Sequence, residues 1–204
     1  MIQPLAYIHP QAKIADNVVI EPFVTIYKDV VIGEGTWIGS NVTIMDGARI
    51  GKNCRIFPGA VVSAPPQDLK YKGEASTVTV GDNTIIRECV TLNRGTALDK
   101  NTTTIGSNCL LMAYVHVAHD CVIGNNVIIA NSVQLAGHIE VQDYAFIGGT
   151  SAVHQFVSIG AHSIISGGSL VRKDVPPYTK AGREPLSYVG INSVGLRRRG
   201  FTSE

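Results

Sequence analysis

The sequence repeats with a period of six residues, and this period limits the possible folds more than any other feature. An aliphatic residue occupies every sixth position from Ile8 to Val62, ten times without a slip, and from Ile105 to Val171, twelve times. A second, smaller residue follows each aliphatic residue by four positions, as Ala12 follows Ile8. Neither the period of an α-helix nor that of a simple strand produces this recurrence. The sequence therefore predicts short strands joined by tight turns.

Stacking of such strands produces an all-β parallel solenoid, whose aliphatic residues line one continuous interior. Three hexads make one triangular coil. Positions three hexads apart then lie about 4.8 Å from each other, which is the spacing of paired strands. We expect a parallel β-helix over residues 1–175.

Two segments break the six-residue frame, and one dipeptide ends it. Residues 63–78 and 93–104 contain Pro, Gly and charged residues, and the frame resumes after each. Both segments are expected to loop out, and long loops on a rigid scaffold are often functional. Two prolines follow Val175, and proline cannot donate to a strand ladder. Residues 176–204 are therefore predicted to form a separate C-terminal segment.

Composition excludes several classes of protein. The 17 basic and 16 acidic residues nearly balance, which gives no indication of a nucleic-acid partner. A transmembrane helix needs roughly 20 apolar residues, and no such run occurs. The first ten residues lack the features of a signal peptide, and the four cysteines show no CxxC spacing. We expect a cytoplasmic protein with reduced thiols.

Two histidines three positions apart, His116 and His119, interrupt a run of β-forming residues. In a straight strand their side chains would point to opposite faces. In the six-residue frame a corner separates them, so both rings can reach one outer groove. His138 and His154 follow near the equivalent places of later coils. We expect a column of histidines along one edge, with His119 outside the core and replaceable without opening a cavity.

Several interpretations of these polar residues stay open. The histidines could hold zinc, could act as a base near neutral pH, or could have no function. Cys121 falls on the smaller inward position and is expected to pack in the core. The loop around Gln67, Asp68 and Lys70 is either solvated or suited to bind sugar hydroxyls. The three arginines at 197–199 are either a solvated terminus or a phosphate site.

The chain resembles the bacterial UDP-N-acetylglucosamine O-acyltransferase family, one of the hexapeptide-repeat acyltransferases. The resemblance spans the whole chain and includes motifs outside the generic repeat. These motifs are "QDLKY" at 67–71, "HVAHDCVIGNN" at 116–126, "LAGH" at 135–138, "AVHQF" at 152–156, "DVPPY" at 174–178 and "GLRRRGF" at 195–201.

The resemblance implies a left-handed parallel β-helix, assembled as a homotrimer with active sites in grooves between subunits. It implies transfer of an (R)-3-hydroxyacyl group from acyl carrier protein to the 3-hydroxyl of the glucosamine ring of UDP-N-acetylglucosamine. This reaction is the first step of lipid A biosynthesis and needs no metal or cofactor. Residues 176–204 would begin the family's C-terminal helical region, most of which is absent from this sequence.

The same resemblance implies roles for individual residues. His119 would be the general base, Asp120 would hold or polarise it, and the backbone N–H of Gly137 would stabilise the oxyanion. Other positions would bind substrate: Asp68 and Lys70 on the sugar side; His116, His138, His154 and Gln155 as lining; Gly167 in the acyl groove, left open for long chains; and Asn192, Arg198 and Arg199 at the diphosphate.

Other interpretations of the repeat are a zinc-dependent γ-type carbonic anhydrase, another hexapeptide-repeat acyltransferase, and a solenoid used only for assembly. The N-acyltransferase of the same pathway has an N-terminal domain ahead of its β-helix. Here the first hexad begins at Ile8, which leaves no room for such a domain in this sequence.

Overall fold

The structure, a computed structural model, describes residues 2, 4–183 and 185–202. These residues form 27 strands and one helix. The first strands are β1 Tyr7–Ile8, β2 Lys13–Ile14, β3 Val19–Ile20, β4 Thr25–Ile26, β5 Val31–Ile32, β6 Trp37–Ile38, β7 Thr43–Ile44, β8 Ala48–Ile50, β9 Arg55–Ile56 and β10 Val61–Ala64. The middle strands are β11 Thr77–Val80, β12 Ile85–Ile86, β13 Thr91–Asn93, β14 Thr102–Ile105, β15 Leu110–Leu111, β16 His116–Val117, β17 Val122–Ile123, β18 Ile128–Ile129 and β19 Gln134–Leu135. The last elements are β20 Glu140–Val141, β21 Phe146–Ile147, β22 Ala152–Val153, β23 Ser158–Ile159, β24 Ile164–Ile165, β25 Leu170–Val171, β26 Thr179–Gly182, β27 Ser187–Ile191 and helix α1 Ser193–Arg198.

Up to β25, consecutive strands belong to different sheets, and every third strand returns to the same one. The result is a prism with a nine-stranded, an eight-stranded and a ten-stranded face. Pairing is parallel with a step of one coil, so that Ile8 lies beside Ile26 and Ile129 beside Ile147. The fold is the left-handed parallel β-helix predicted from the sequence.

Most corners of the prism turn through one residue with left-handed backbone dihedral angles. Asparagine tolerates this conformation better than most residues do. Six corners use it: Asn17, Asn41, Asn53, Asn83, Asn108 and Asn126. Other corners carry Asp120, His138, Tyr144, Phe156 or His162 at the same position, with φ between 57° and 66°. Side chains of functional interest therefore stand at positions where asparagine is otherwise common.

The six-residue frame identifies the core correctly. Ile20, Ile44, Leu111 and Ile129 have no exposed surface, and the smaller residues four positions on are buried as well. Ile8 is only partly buried, because the first coil lacks a coil beneath it. Cys121 is buried as predicted, and burial raises the pKa of its thiol to about 12.

The structure corrects the bounds of both loops. Strands β10 and β11 extend to Ala64 and from Thr77, so the first loop spans 65–76 rather than 63–78. Strands β13 and β14 shorten the second loop to 94–101 rather than 93–104. The loop ends keep pairing because the coil above presents a strand of equal length, as β14 does for all four residues of β11.

The prediction that strand pairing stops at the two prolines is wrong. Strand β26 pairs in parallel with β24, beyond Pro176 and Pro177, and β27 then pairs antiparallel with β26. The prolines lie at a corner, where no ladder hydrogen bond is required of them. The start of the C-terminal segment thus extends the ten-stranded face. Helix α1, capped by Asn192, follows it. In the described part of the chain, no helix has the length and apolar character to span a bilayer.

Candidate active site

His119 and Asp120 form a hydrogen-bonded pair at the corner between the nine-stranded and eight-stranded faces. His119 Nδ1 lies 2.9 Å from Asp120 Oδ2. The carboxylate is completely buried, whereas the His119 side chain is 13% exposed. Because a carboxylate accepts, Nδ1 carries the proton and Nε2 keeps its lone pair. This tautomer suits the imidazole to accept a proton at Nε2.

Thr96 holds the Asp120 carboxylate, and Thr103 binds the Asp120 backbone. The Thr96 N–H lies 3.0 and 3.1 Å from the two oxygens, and the Thr96 hydroxyl donates to Oδ2 at 2.7 Å. Thr103 Oγ1 accepts from the Asp120 N–H at 2.8 Å. Burial of a charge is costly unless it is hydrogen-bonded in this way. The buried carboxylate of Asp120 is therefore satisfied by oriented donors.

His138 stands one coil above Asp120 and faces the His119 ring. The two ring centroids are 4.9 Å apart and nearly perpendicular, at 89°. His138 Nδ1 lies 2.6 Å from Asp99 Oδ2, and this hydrogen bond lowers the pKa of Asp99. Phe156 stacks on the other side of the His138 ring, at 4.6 Å. His138 is thus the second histidine of the site whose Nδ1 points to a carboxylate.

The backbone of Gly137 lies directly beside the His119 ring. A Cβ atom on Gly137 would lie 2.7 Å from His119 Cε1 and 2.8 Å from Nε2. Among the described residues, the N–H of Gly137 has no acceptor. A free backbone N–H beside the base is the kind of donor that can stabilise a developing oxyanion. Only glycine leaves room for the backbone to come this close.

His116 lies on the nine-stranded face, beside a polar cavity of about 320 Å³. Its Nδ1 is 2.7 Å from the Thr91 hydroxyl, one coil below. Burial, with a smaller contribution from His119, lowers the pKa of His116. His116 is therefore neutral at pH 7 and can hydrogen-bond a neutral ligand. Gln67, Cys89, Tyr114 and Gln134 complete the lining.

His154 borders a second cavity on the same face, of about 280 Å³. Its Nδ1 is 3.1 Å from the carbonyl oxygen of Gln155. Most of the other lining is apolar, with Arg172 at one side. The apolar residues are Ala136, Ala152, Val153, Leu170 and Val171. The polar and the apolar cavity thus both lie on the nine-stranded face.

Of the four histidines predicted to form a column, His119 and His138 have rings in contact. The register places His119 below Gly137 and Gln155, and Asp120 below His138 and Phe156. His116 and His154 instead belong to the face itself, at two further positions of the repeat. The steps between successive histidines do not equal the length of one coil, so the rings cannot stack in one line. His119 and His138 meet at the corner, whereas His116 and His154 line the two cavities of the adjoining face.

The remaining sugar-side and acyl-side candidates lie apart from the His119 corner. Asp68 Oδ1 accepts from the Lys70 N–H at 2.9 Å, which shapes the tip of the 65–76 loop. The Lys70 side chain is exposed, and Leu69 between them is fully exposed. Gly167 lies exposed at the corner between the ten-stranded and nine-stranded faces. The contacts within one chain bring neither group to the histidines.

Asn192, Arg198 and Arg199 lie at a different edge of the prism from His119. Asn192 Nδ2 donates to the His162 carbonyl at 2.8 Å, and its Oδ1 accepts from the Gly195 N–H. The Arg199 guanidinium lies 5.2 Å from the centroid of the Tyr144 ring, and Arg198 is exposed. Asn192 is buried, so the structure favours a role in holding helix α1 over direct ligand contact.

His162 joins helix α1 to the β-helix through an aromatic stack that the sequence did not indicate. Its ring lies between Tyr144 and Tyr178, with centroids 4.8 and 5.3 Å away, and touches Phe201 edge-on. Its Nδ1 is buried without a hydrogen-bond partner among the described residues. Burial and then the Arg199 charge lower the pKa of His162, while Asp143 acts weakly the other way.

We expect His162→Phe to make the protein less sensitive to acid. Below pH about 6.5 the unfolded chain binds a proton that the folded ring resists, so stability present above that pH is lost as the pH falls. Phenylalanine keeps the stack and removes the unpaired nitrogen, so at pH 8 the free energy of unfolding should change by less than about 1 kcal/mol. Urea unfolding at pH 8 and pH 5 measures both effects. An identical pH dependence in the two proteins would contradict the prediction.

A zinc site at this corner fits the observed contacts poorly. His119, Asp120 and His138 place ligand atoms within 4.8 Å of one another. Both Nδ1 atoms are already bonded to carboxylates, however, and Asp120 also accepts from Thr96. A metal ion would have to replace several of these bonds. The arrangement favours a hydrogen-bonded base over a set of zinc ligands.

Sequence reasoning missed the residues that the loops carry to the site. Thr91 and His116 are neighbours although the sequence between them is longer than three hexads, and Asp99 bonds His138 across more than one coil. Thr96 and Thr103 also have no motif that marks them. Counting in sixes could not relate these residues, because the two loops insert residues that are not part of the repeat.

Comparisons with known proteins agree with the fold and the site. Residues 29–64 and 102–137 match the family described as "Bacterial transferase hexapeptide (six repeats)". Residues 174–204 match "Udp N-acetylglucosamine O-acyltransferase; Domain 2". The chain is thus a hexapeptide-repeat transferase.

Individual relatives narrow this class. An acyl-[acyl-carrier-protein]–UDP-N-acetylglucosamine O-acyltransferase of Aliivibrio fischeri (strain MJ11) is 56% identical over 98% of this chain and 79% of the relative. The crystal structure of the UDP-N-acetylglucosamine acyltransferase from Bacteroides fragilis matches with a TM-score of 0.98 and 56% identity, over 100% of this chain and 79% of that one. The Arabidopsis enzyme matches with a TM-score of 0.82 and 38% identity, over 100% and 78%. The chain belongs to the acyl-carrier-protein-dependent UDP-N-acetylglucosamine O-acyltransferase family.

Proposed function

We propose that the protein transfers an (R)-3-hydroxyacyl group from acyl carrier protein to the 3-hydroxyl of the glucosamine ring of UDP-N-acetylglucosamine, the first step of lipid A biosynthesis. The observation that carries this proposal is the His119–Asp120 pair, with Nδ1 bonded at 2.9 Å and Gly137 beside Nε2. Relatives named for this reaction support it. The alternative, a zinc carbonic anhydrase, would require a metal ion to replace the bonds that both Nδ1 atoms make to carboxylates.

The geometry supports a direct acyl transfer. His119 Nε2 takes the proton of the sugar hydroxyl while its oxygen attacks the thioester carbonyl carbon. The buried charge of Asp120 stabilises the resulting imidazolium, as oriented carboxylates do in other histidine-base enzymes. The Gly137 N–H donates to the oxyanion of the tetrahedral intermediate. When the carbon–sulfur bond breaks, the imidazolium returns its proton to the thiolate of the carrier, and the base is regenerated.

The two cavities beside the base suggest where the sugar and the acyl chain bind. The polar cavity with His116, Thr91 and Gln67 is suited to sugar hydroxyls, and Asp68 and Lys70 belong to the same loop as Gln67. The cavity with Leu170 and His154 is suited to an acyl chain. His138 lies one coil above Asp120, and Gln155 lies two coils above His119, at the edge of the same face. No cofactor takes part in this scheme.

An acyl-transfer assay tests the function directly. Purified protein is incubated with UDP-N-acetylglucosamine and acyl carrier proteins that bear 3-hydroxyacyl chains of different lengths. We expect a 3-O-acylated nucleotide sugar, with activity unchanged after treatment with a zinc chelator. No product with any carrier would contradict the proposal, and activity that returns only with added zinc would favour the metal-dependent alternative.

A homotrimer is part of the proposal, and the ten-stranded face supports it. The outward side chains of five successive strands on this face are apolar: Ile85, Leu110, Ile128, Phe146 and Ile164. The corresponding positions on the nine-stranded face are Thr91, His116 and Gln134, followed by Ala152 and Leu170, so the apolar run there is shorter. A continuous apolar stripe on one face favours burial against another subunit.

The place of Arg198 and Arg199 supports a site shared between subunits. In one chain they stand at another edge than His119, so they would bind the diphosphate in the groove of a neighbour. We expect His119→Ala and Arg198→Ala chains, each nearly inactive at low concentrations of UDP-N-acetylglucosamine, to recover activity under those conditions when co-expressed. Each mixed trimer would contain one intact site, so random mixing would give about a quarter of the wild-type activity. The measurement is the transfer rate of the mixture.

Two further observations would contradict the shared site. The first is a mixture no more active than its two parents, and the second is a monomer of 21.8 kDa in sedimentation. Arg198→Ala alone should act mainly on KM, since a contact to the diphosphate is equal in the ground and transition states.

Gly167 is proposed to leave the acyl groove open for long chains. A Cβ at this exposed glycine would lie 3.1 Å from the Gly149 carbonyl oxygen, so a small shift admits a side chain. We expect Gly167→Met to move the preferred acyl chain toward shorter lengths, and Gly167→Ala to move it less. Competition between carriers of different chain length measures the preference. An unchanged preference in the Met variant would place the limit on chain length elsewhere.

A cytoplasmic location is proposed as well. Acyl carrier protein is a cytoplasmic partner, and the cysteines are free thiols, three of them buried. Free thiols are typical of proteins in a reducing compartment.

A further inference from the structure

The loop at 94–101 reaches the reaction centre although it is an insertion in the solenoid. The coil that contains it, from Thr91 to His116, is longer than the ordinary coil from His116 to Gln134. Two residues of this loop take part in hydrogen bonds at the two carboxylate–histidine pairs of the site. Thr96 binds Asp120, and Asp99 binds His138.

Thr96 sets the orientation of the Asp120 carboxylate. Its N–H lies between the two oxygens, at 3.0 and 3.1 Å, and so fixes the plane of the carboxylate. Its hydroxyl donates to Oδ2 at 2.7 Å, the same oxygen that accepts from His119 Nδ1 at 2.9 Å. Asp120 Oδ2 therefore accepts hydrogen bonds from both the Thr96 hydroxyl and the His119 imidazole. The strength of one bond affects the other.

The loop is itself closed, so Thr96 has a defined place. The Thr96 carbonyl accepts from the N–H groups of Asp99 and Asn101, at 3.3 and 3.0 Å. Lys100 Nζ bonds Asp99 Oδ2 at 3.0 Å and the Asp120 carbonyl at 3.3 Å. Movement of the loop would disturb both histidines together.

We infer that Thr96 is a positioning residue for the base: through Asp120 it fixes the His119 tautomer and tunes how strongly the imidazole holds a proton. The inference rests on the proposed acyl transfer and adds to it a residue that does not touch substrate. It predicts that loss of the hydroxyl alone, with the N–H retained, changes the proton affinity of the base and not only the stability of the loop.

The test compares Thr96→Val with Thr96→Ser and with a control, Thr79→Val. Valine keeps the shape and removes the hydroxyl, whereas serine keeps the hydroxyl. Thr79 forms an equivalent hydroxyl pair with Thr104, at 3.2 Å, on the outer surface of the eight-stranded face. Two quantities are measured for each trimer: kcat and kcat/KM against pH, and the ring ¹⁵N shifts of His119 against pH. The His119 signal is assigned by its absence in His119→Ala.

In Thr96→Val we expect kcat to fall about tenfold or more, since a hydrogen bond to a charged group is lost. With one donor fewer, Asp120 holds the imidazolium more strongly, so the acid limb of kcat/KM and the His119 titration both move to higher pH. Thr96→Ser should restore both, and Thr79→Val should change neither. A lower kcat without movement of the His119 titration, or a movement to lower pH, would overturn the inference. The ¹⁵N titration does not need turnover, so it tests Thr96 even if the wild type transfers no acyl group.

Discussion

Replacement of His119 should reduce kcat by two to four orders of magnitude, because a general base contributes roughly 10²–10⁴-fold. The sugar hydroxyl keeps its proton at neutral pH and is a poor nucleophile without the base. His119→Asn is the sharper variant, since its amide N–H can still donate to Asp120 where Nδ1 now does. Binding of UDP-N-acetylglucosamine, measured by calorimetry, should be nearly unchanged.

The structure alters what is expected of stability at this position. The sequence suggested that His119 could be removed without cost, but its side chain is only 13% exposed and is a partner of the buried Asp120. His119→Ala leaves that carboxylate with one donor fewer, which costs about 1–3 kcal/mol. His119→Asn should avoid most of this loss. Comparison of the two variants separates catalysis from folding.

His116→Ala is the matched control for the base. Its ring hydrogen-bonds Thr91 and has no carboxylate partner among the described residues. It should therefore lose much less activity than either His119 variant, and mainly in KM. Equal and small losses at the two positions would mean that neither ring takes the proton.

Gly137→Ala is the second variant from which a large effect is expected. The added Cβ would lie 2.7 Å from His119 Cε1, closer than atoms approach in folded proteins, so the ring or the corner must move. His119 is held at Nδ1 and cannot turn away without breaking its bond to Asp120. Displacement of the base and the oxyanion donor together should lower kcat by about 10²–10³-fold, the cost of one lost oxyanion donor. The measurement is kcat under saturating substrate.

A corner glycine elsewhere shows whether the effect is local. A Cβ at Gly149 would meet the Asn131 carbonyl oxygen at 3.2 Å, so Gly149→Ala needs only a small shift. Thermal unfolding of Gly149→Ala should remain close to that of the wild type, since this glycine has no left-handed backbone. Gly137→Ala should lose up to about 1–3 kcal/mol, the cost of displacing His119 from the buried Asp120. Wild-type kcat in Gly137→Ala would show that the reacting groups lie elsewhere than beside this glycine.

The repeat was sufficient to define the solenoid and its core before any coordinates were considered. An interior residue every six positions has one geometric solution, since stacked coils of equal length bring identical positions into register. Ile20, Ile44 and Ile129 were thereby identified as core residues, and His119 as lying outside it. The motif resemblance then named the family, and the comparisons confirmed it.

The contacts of the site, in contrast, depend on the folded stack. The two loops add residues that the repeat does not count, so the contacts of Thr96 with Asp120 and of Asp99 with His138 follow no spacing rule. Strand pairing beyond the prolines was missed for a related reason. A proline excludes a ladder bond only where the neighbouring strand requires one, and the positions of corners are a property of the folded stack. Local sequence specifies each coil. The contacts between coils depend on the lengths of the loops and on the strand register, and both are set only when the coils stack.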